Sequence, residues 1–199
     1  MPPETLMPPR TLSLALKEWA VTQRALLEGH QIILLRKGGL VEDTGDFDLR
    51  APTFLLYPTY EHETERAGDL QPCFAQWLAE EEQGKPGPGF ARLEAWAEAT
   101  DVVRVAQPET LIRLMPQHIW SRQFLQGRFD WEPYKPVFAL VLRAHRLAAP
   151  QTLPMRREYG GCRSWIDLAE PISIEGSTPA VSDDTWARRR ALTLQLLAE

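Results

Sequence analysis

The stretch PVFALVLRAHRL, residues 136–147, decides the fold. Its apolar run from Val137 to Leu142 is continuous and is rich in aliphatic residues, two of them β-branched. A run of this composition is typical of a strand that is covered on both faces, and it is too long and apolar for a surface ribbon. The segment therefore predicts a strand in the middle of a sheet, with polar residues where the apolar row ends.

Three further stretches predict strands that join this one. QIILLRK, residues 31–37, is apolar from Ile32 to Leu35 and ends before two glycines, which predicts a central strand. Residues 53–59 predict the next strand, and CRSWIDL, residues 162–168, alternates between two faces as a strand does. We expect the first two apolar runs to lie in one sheet that brings the polar residues just beyond them to one surface.

Helical patterns separate these strands. Residues 11–28 carry apolar residues three or four positions apart, with Thr11 placed to cap a helix and Gly29 placed to end it. The same reasoning predicts helices over PCFAQWLAEEE (72–82), FARLEAWAEA (90–99), PETLIRLM (108–115), HIWSRQFLQG (118–127) and a final segment that begins near Ser182 or Asp183.

Turn residues divide the remaining chain. Thr44 and Gly45 predict a small exposed hairpin, and the loop GKPGPG, residues 84–89, alternates Pro and Gly too densely for regular structure. We expect that loop to be flexible. The prolines among residues 1–10 predict an extended N-terminal arm.

The interleaved helices and strands predict one domain. The fold class is α/β or α+β, with a single compact domain over residues 11–199 and a mixed central sheet flanked by helices. A hydrophobic fraction of 44% and 7 tryptophans supply a core for a chain of 199 residues.

Composition narrows the function classes. A net charge of -5 argues against a uniformly basic nucleic-acid binder, and 25% charged residues argue against a disordered chain. No apolar run approaches the roughly 20 residues of a membrane helix, and the first residues lack a signal-peptide pattern. Cys73 and Cys162 are too few for a disulfide framework or a zinc knuckle. We expect a cytoplasmic protein without membrane contact.

The charges are unevenly distributed along the chain. Residues 61–100 contain nine acids and three Lys or Arg residues, whereas residues 110–163 contain nine Lys or Arg residues and three acids. Arginines interleaved with aromatic residues are typical of surfaces that bind phosphates and stack on bases, so the partner we favour is nucleic acid or another polyanion. The expected binding residues are Arg143, His145, Arg156, Arg157, Arg163 and Trp165. The alternative is that the two regions pack together and neutralise each other.

YPTYEHETE, residues 57–65, offers an enzymatic alternative. Carboxylates and an imidazole just beyond the end of a strand are suited to a metal ion, so Glu61, His62 and Glu63 are candidate ligands. Under this alternative alone, magnesium or manganese would be the cofactor of a phosphodiesterase or nuclease-like enzyme. Glu61, Glu63 and Lys37 would be its catalytic residues, with Glu18 nearby.

Other features of the sequence argue against that enzyme or favour a different function. The chain contains no Asp-x-Lys or Glu-x-Lys motif of the restriction-enzyme type, and a group of glutamates is most often a solvated face. Cys162 near His145 or Ser164 would be a thiol nucleophile, although a lone cysteine in an apolar row is more often a core residue. A third alternative is a protein-interaction or assembly subunit with no ligand.

Five segments together resemble a known family. They are LKEWAV (16–21), LLRKGGL (34–40), FLLYPTYEHE (54–63), KPVFALVLRAHRL (135–147) and YGGCRSWIDL (159–168). Their order and wording are similar to a bacterial family catalogued as a domain of unknown function, DUF1802. The resemblance implies a free-standing bacterial module, and because the family has no established catalytic residues it transfers no site.

Overall fold

The computed structural model describes residues 10–37, 49–60, 68–161 and 163–198. Within these ranges, seven strands form one mixed sheet in the order β2-β5-β4-β3-β1-β6, and β7 pairs with β5. The parallel pair is β1 with β3, and the other pairs are antiparallel. The strands are β1 Thr11–Trp19, β2 Ile33–Lys37, β3 Thr53–Thr59, β4 Phe90–Val105, β5 Val137–Pro154, β6 Trp165–Ser173 and β7 Thr178–Pro179.

Five helices are described with this sheet. They are α1 Ala20–Leu27, α2 Ala75–Gly84, α3 Pro108–Arg113, α4 Arg122–Asp130 and α5 Asp183–Ala198. Ser121 caps α4 by accepting a hydrogen bond from the Phe124 amide at 3.2 Å. Asp183 and Asp184 lie in the first turn of α5, where the helix dipole favours negative charge. None of the described helices is long and apolar enough to cross a membrane.

β5 is the strand on which the sheet is built. It pairs along most of its length with β4, and its first residues also pair with β2. The prediction of a strand inside the sheet over residues 136–147 is confirmed. Because β4 and β5 are 16 and 18 residues long, they reach from the helical end of the molecule to the loops at the opposite end.

The core lies on both faces of the sheet. On one face Leu34, Phe54 and Leu140 pack with Leu26 of α1. The opposite face carries two clusters, one covered by the helices and one around Leu55 and its neighbours on β1 and β6. Burial of each large apolar side chain contributes about 1.5–3 kcal/mol, so these three clusters supply the main stabilisation of the fold.

Two predicted helices are wrong. Residues 11–28 divide into the strand β1 and the short helix α1, because β1 is paired between β3 and β6. FARLEAWAEA, residues 90–99, is the start of β4 and pairs with β3 and β5. In both cases strand pairing in the folded protein overrides the helix propensity of Ala, Leu and Glu.

The position of residues 31–37 also needs correction. The segment is a strand, as predicted, but β2 lies at the end of the sheet order and not at its centre. Its side chains are nevertheless buried, since Ile33 and Leu35 face the helical cluster while Leu34 faces the other side. Continuous burial on both faces therefore reflects the covering helices and not a central place in the sheet.

The remaining element predictions are confirmed where they can be followed. β3, the alternating strand β6 and the helices α2 to α5 occur within one or a few residues of their predicted places. The fold class is α+β, with one compact domain and a mixed sheet. The predicted hairpin at Thr44 and Gly45 and residues 1–9 of the predicted arm lie outside the described residues.

Candidate nucleic-acid interface

Two clefts open at the ends of the parallel strands β1 and β3. In the register of this pair, Glu18 lies opposite Pro58 and Trp19 opposite Thr59, so both strands end together. Pro58 and Tyr60 line both clefts. The sequence predicted a polar rim at this end of β3, and the structure shows a cleft on each side of it.

The first cleft, here called the aromatic cleft, has a volume of about 380 Å³. It is formed by residues 57–60 at the end of β3, by residues 85–91 of the Pro-Gly loop and the start of β4, and by residues around Met155 and Tyr159. The Met155 amide donates a hydrogen bond to the Gly89 carbonyl at 2.8 Å, which holds the second and third segments together. Gly89 has φ +83°, a backbone conformation that favours glycine.

Large apolar side chains are exposed at this cleft. Phe90, the first residue of β4, is 49% exposed, and Met155, which directly follows β5, is 54% exposed. Tyr60 is half-buried on the opposite wall. Exposed aromatic rings beside a concave surface are a common feature of binding sites.

Tyr57 is a buried residue that lines the aromatic cleft. Only 2% of it is exposed, and its ring meets the Tyr159 ring edge-on at 6.0 Å between centroids. The Tyr159 hydroxyl accepts a hydrogen bond from the Ala169 amide at 2.9 Å, whereas the buried Tyr57 hydroxyl has no partner among the described residues. Burial, followed by the neighbouring Tyr159, raises the pKa of Tyr57, so its hydroxyl stays protonated.

Positive side chains border the aromatic cleft. Lys17 and Lys85 line it, and the Lys17 ammonium donates to the Gly161 carbonyl at 2.7 Å. Arg156 and Arg157, which follow Met155 directly, are exposed, as is Arg163 a few residues further along; Arg156 lies 3.8 Å from the carboxylate of the exposed Glu158. This segment therefore places positive charge beside an apolar concavity, which is the combination that phosphate-linked bases require.

The second cleft, here called the charged cleft, lies on the other side of Pro58 and has a volume of about 220 Å³. Three arginines and three glutamates line it, and several are already paired: Arg24 with Glu28 at 2.7 Å and Arg92 with Glu94 at 2.7 Å. Burial raises the pKa of the Glu81 carboxyl, although Arg24 opposes this shift. Because its charges are balanced internally, the charged cleft attracts neither sign strongly.

Comparison with known proteins gives the family. Residues 15–192 match a family described as "Domain of unknown function (DUF1802)". The chain belongs to the DUF1802 family. The match spans both clefts and the sheet from the middle of β1 to β7, as the resemblance in the sequence led us to expect.

Solved structures similar to this DUF1802 chain come from Zymomonas mobilis. The crystal structure of ASCH from that organism has 12% sequence identity and a TM-score of 0.45, and the alignment covers 90% of this chain and 93% of the other. A point mutant of the same protein has 12% identity and a TM-score of 0.46, with coverage of 92% and 98%. No curated protein matches the DUF1802 chain in sequence.

None of the six predicted binding residues lines the aromatic cleft of this DUF1802 protein, and three of them have structural roles elsewhere. Trp165 is 8% exposed and packs edge-on against Phe54 at 5.0 Å between ring centroids, so it is a core residue and not a stacking platform. His145 is stacked on Trp96 at 4.0 Å and 5° between ring planes, and burial, aided by Arg143, lowers its pKa to about 4. It is therefore neutral at pH 7 and adds no charge for a phosphate.

Arg143 is the third predicted binding residue that has a structural role. Its guanidinium pairs with Asp183 at the start of α5 and lies over the Trp186 ring at 5.4 Å from the centroid. The Trp186 indole in turn donates to the Leu142 carbonyl at 2.9 Å. Arg143 thus attaches α5 to β5, while Arg156, Arg157 and Arg163 remain the exposed arginines of the prediction.

The prediction that Lys37 is catalytic is corrected by its surroundings. Lys37 is 6% exposed, and its ammonium donates to the backbone carbonyls of Arg128 at 2.7 Å, of Phe129 at 3.4 Å and of Trp131. It therefore stabilises the C-terminal end of α4, where the helix dipole favours a cation. Because β2 and β5 are antiparallel, Lys37 lies opposite Val137 and Ile33 opposite Val141, so the two apolar runs end at opposite ends of that pair.

Glu18, named beside Lys37, has a structural partner as well. Its carboxylate pairs with Arg36 at 3.0 Å, with both side chains largely buried, and it also accepts the Trp19 amide at 2.8 Å. The predicted metal ligands Glu61, His62 and Glu63 and the thiol of Cys162 lie outside the described residues. Among the residues that are described, no group of three or more His, Cys, Asp or Glu side chains is placed to hold a metal ion.

One alternative was that the acidic residues 61–100 and the basic residues 110–163 neutralise each other. The ion pairs of the acidic residues bear on it. Glu80 and Glu81 pair with Arg24 of α1, at 2.7 and 3.5 Å, and Glu82 pairs with Lys85. These acids are satisfied from outside the basic region, so they do not neutralise the arginines that follow Met155.

Sequence reasoning missed one aromatic cleft residue, Phe90, because residues 90–99 were interpreted as a helix. Tyr57 and Tyr159 lie in stretches that were singled out, the first in YPTYEHETE and the second among the aromatic residues of the basic region. One usable signal was present: the Pro-Gly loop ends directly on an aromatic residue, and loops of this kind often border binding sites.

Proposed function

We propose that this protein binds single-stranded nucleic acid in the aromatic cleft. Unpaired bases lie against Phe90 and Tyr60, and the phosphates that link them are bound by Arg156 and Arg157. The observation that carries the proposal is the hydrogen bond from the Met155 amide to the Gly89 carbonyl, which fixes the exposed Phe90 beside the exposed arginines.

Two physical arguments favour a single strand over a duplex. A base can stack on a protein side chain only when it has left its own stack, and this is the usual state of single-stranded ligands. The cleft is a local concavity between a loop and a strand end, whereas a duplex is bound mainly by extended positive surfaces. The overall charge of -5 also suits a protein that binds with one local patch.

The proposal is tested by the salt dependence of binding to a labelled single-stranded oligonucleotide. We expect the double variant Arg156→Ala/Arg157→Ala to bind more weakly and to lower the slope of log K against log salt by about 1.4, since each lost phosphate contact to a single strand accounts for about 0.7. Phe90→Ala should weaken binding by about 1–3 kcal/mol with the salt slope unchanged, because it removes stacking and no charge.

A matched control removes the same charge elsewhere. Arg104→Ala/Arg113→Ala takes away two exposed arginines of β4 and α3, outside the segment that follows the cleft residue Met155. We expect this variant to retain most of the affinity. Equal losses in both double variants would mean that only net charge matters, and binding that is insensitive to salt would remove the proposal altogether.

The second candidate function is the metal-dependent phosphodiesterase. It is favoured by one observation: Tyr60, which lines both clefts, is followed directly in the chain by Glu61, His62 and Glu63. Incubation of the protein with single-stranded substrate and manganese should then give cleavage that Glu61→Gln abolishes. Intact substrate after incubation with magnesium, manganese, zinc and calcium would eliminate the enzyme and leave the binding function in place.

A further inference from the structure

We infer that the aromatic cleft is a specificity pocket that recognises the edge of one unpaired base through the hydroxyl of Tyr57. This inference rests on the proposed function and goes further, because it names the group that distinguishes one base from another. Tyr57 lines the cleft and its hydroxyl is buried, whereas the arginines that bind phosphate are exposed.

The first argument is the unsatisfied hydroxyl. Tyr57 is 2% exposed, and its oxygen has no hydrogen-bond partner among the described residues. Buried polar groups in folded proteins almost always have partners, since an unpaired buried hydroxyl costs free energy. Tyr159 beside it satisfies this rule by accepting the Ala169 amide at 2.9 Å. A buried Tyr57 hydroxyl without a partner among the described residues, on a residue that lines the cleft, therefore indicates a partner that arrives with a ligand.

The second argument is the shape and chemistry of the walls. The cleft volume of about 380 Å³ falls within the roughly 300–1,000 Å³ of typical small-ligand sites. Phe90 and Tyr60 supply aromatic faces, and Pro86 and Pro88 have no N–H group to donate to a ligand. A flat, largely apolar molecule with polar atoms on its edge fits such walls, and a nucleobase is a molecule of this kind.

The third argument is the presence of positive side chains near the cleft. Lys17 and Lys85 line the cleft, with Lys17 donating to the Gly161 carbonyl and Lys85 paired with Glu82, and the exposed Arg156 and Arg157 follow the cleft residue Met155. A nucleotide with its base on Tyr57 would direct its phosphates toward those arginines. Because a tyrosine hydroxyl is both donor and acceptor, it pairs with base edges selectively, and a site built to hydrogen-bond discriminates against ligands that lack the matching atom.

The decisive variant is Tyr57→Phe, which removes one oxygen and leaves the ring in place. Binding is measured for four single-stranded homopolymers, one for each base, and for an abasic oligomer of the same length and charge. We expect the native protein to prefer one base, and Tyr57→Phe to bind that homopolymer about five- to tenfold more weakly. Affinity for the abasic oligomer should be the same in both proteins.

A stability measurement accompanies the binding assay. Since no described group pairs with the Tyr57 hydroxyl, Tyr57→Phe should unfold at an equal or higher urea concentration than the native protein. A less stable variant would mean that the hydroxyl has an internal partner, and this would overturn the inference.

The outcomes separate this inference from the function on which it rests. If all homopolymers and the abasic oligomer bind equally well and Tyr57→Phe changes nothing, the base pocket is wrong but polyanion binding stands. If none of the oligomers binds, the proposed function fails and the pocket fails with it. Base preference that survives Tyr57→Phe would show that another group recognises the base, which also contradicts the inference.

Discussion

His118 shows how single polar residues organise the helical side of the molecule. It is 2% exposed, its Nδ1 accepts the Trp120 amide at 3.1 Å, and its Nε2 therefore carries the proton and donates to the Leu111 carbonyl at 3.1 Å. Gln31 acts in a similar way, donating to the Ile33 carbonyl at 2.8 Å and accepting the Ile119 amide at 3.2 Å. Both side chains satisfy backbone groups that regular structure leaves unpaired.

The pH dependence of stability follows from His118. Burial lowers its pKa to about 4, against an ordinary value of 6.5, so the unfolded chain binds more protons between these two values. The contribution of His118 to the free energy of unfolding is complete above about pH 6.5 and is lost as the pH falls toward 4. It amounts to about 3 kcal/mol. His145, whose pKa is also lowered to about 4 by burial, acts in the same direction and is less buried.

Urea denaturation at several pH values checks this prediction. We expect His118→Gln to reduce the slope of the free energy of unfolding between pH 6.5 and 4 by up to about 1.4 kcal/mol per pH unit. Gln31→Leu is the matched control, because it disrupts a neighbouring buried polar side chain that does not titrate. It should lower stability by the same amount at every pH, and identical slopes for the native protein and His118→Gln would contradict the account.

At the scale of elements, the junction after α1 depends on one glycine. Gly29 has φ +72°, and a Cβ added there would lie 2.5 Å from Cγ1 of Val181, in the segment that leads into α5. The Gly29 carbonyl also accepts a hydrogen bond from Arg189 of α5. The helix end and α5 are therefore packed together only because residue 29 has no side chain.

Gly29→Ala should destabilise the protein by about 2 kcal/mol, of which about half is backbone strain and the rest steric overlap. The double variant Gly29→Ala/Val181→Ala should recover the steric part of the loss at this contact. Gly127→Ala in α4 is the control, since open space surrounds that position and alanine favours a helix, so it should stabilise by about 0.5–1 kcal/mol. A neutral Gly29→Ala in thermal unfolding would show that this junction is looser than described.

The elements that sequence reasoning missed share a physical cause. β1 and β4 are rich in Ala, Leu and Glu, and bulges between Leu12 and Leu14, Leu93 and Ala95, and Ala99 and Asp101 interrupt their alternation. A strand with bulges loses its period of two and can imitate helical spacing. β3 and β5 were predictable because their apolar runs exceed what any exposed element carries.

The same cause limited the prediction of the candidate site. The end of β3 and the exposed Arg156, Arg157 and Arg163 could be inferred from charge and from strand position. Phe90 could not, because its role depends on β4 beginning where a helix was expected. The burial of Trp165 depends on the pairing of β6 with β1, which joins segments far apart in the sequence.

At the scale of the whole molecule, the ion pairs of the described acids determine which positive side chains stay exposed. Acids of α2 pair with Arg24 of α1 and with Lys85, and Asp101 binds Arg190 of α5 through two hydrogen bonds of 2.6 and 2.7 Å. None of these pairs uses the exposed arginines that follow the cleft residue Met155, of which Arg156 lies 3.8 Å from Glu158. A protein of net charge -5 can thus present a local positive surface, and long-range repulsion restricts a polyanion to that surface.

Photo-cross-linking of a single-stranded oligonucleotide that carries a photoreactive pyrimidine, followed by peptide mass spectrometry, tests the central claim most directly. The account predicts adducts on the residues of the aromatic cleft, namely Tyr60, Phe90 and Tyr159, and their loss at high salt. Adducts confined to Trp131 and Tyr134, which are 46% and 77% exposed outside this cleft, would contradict it.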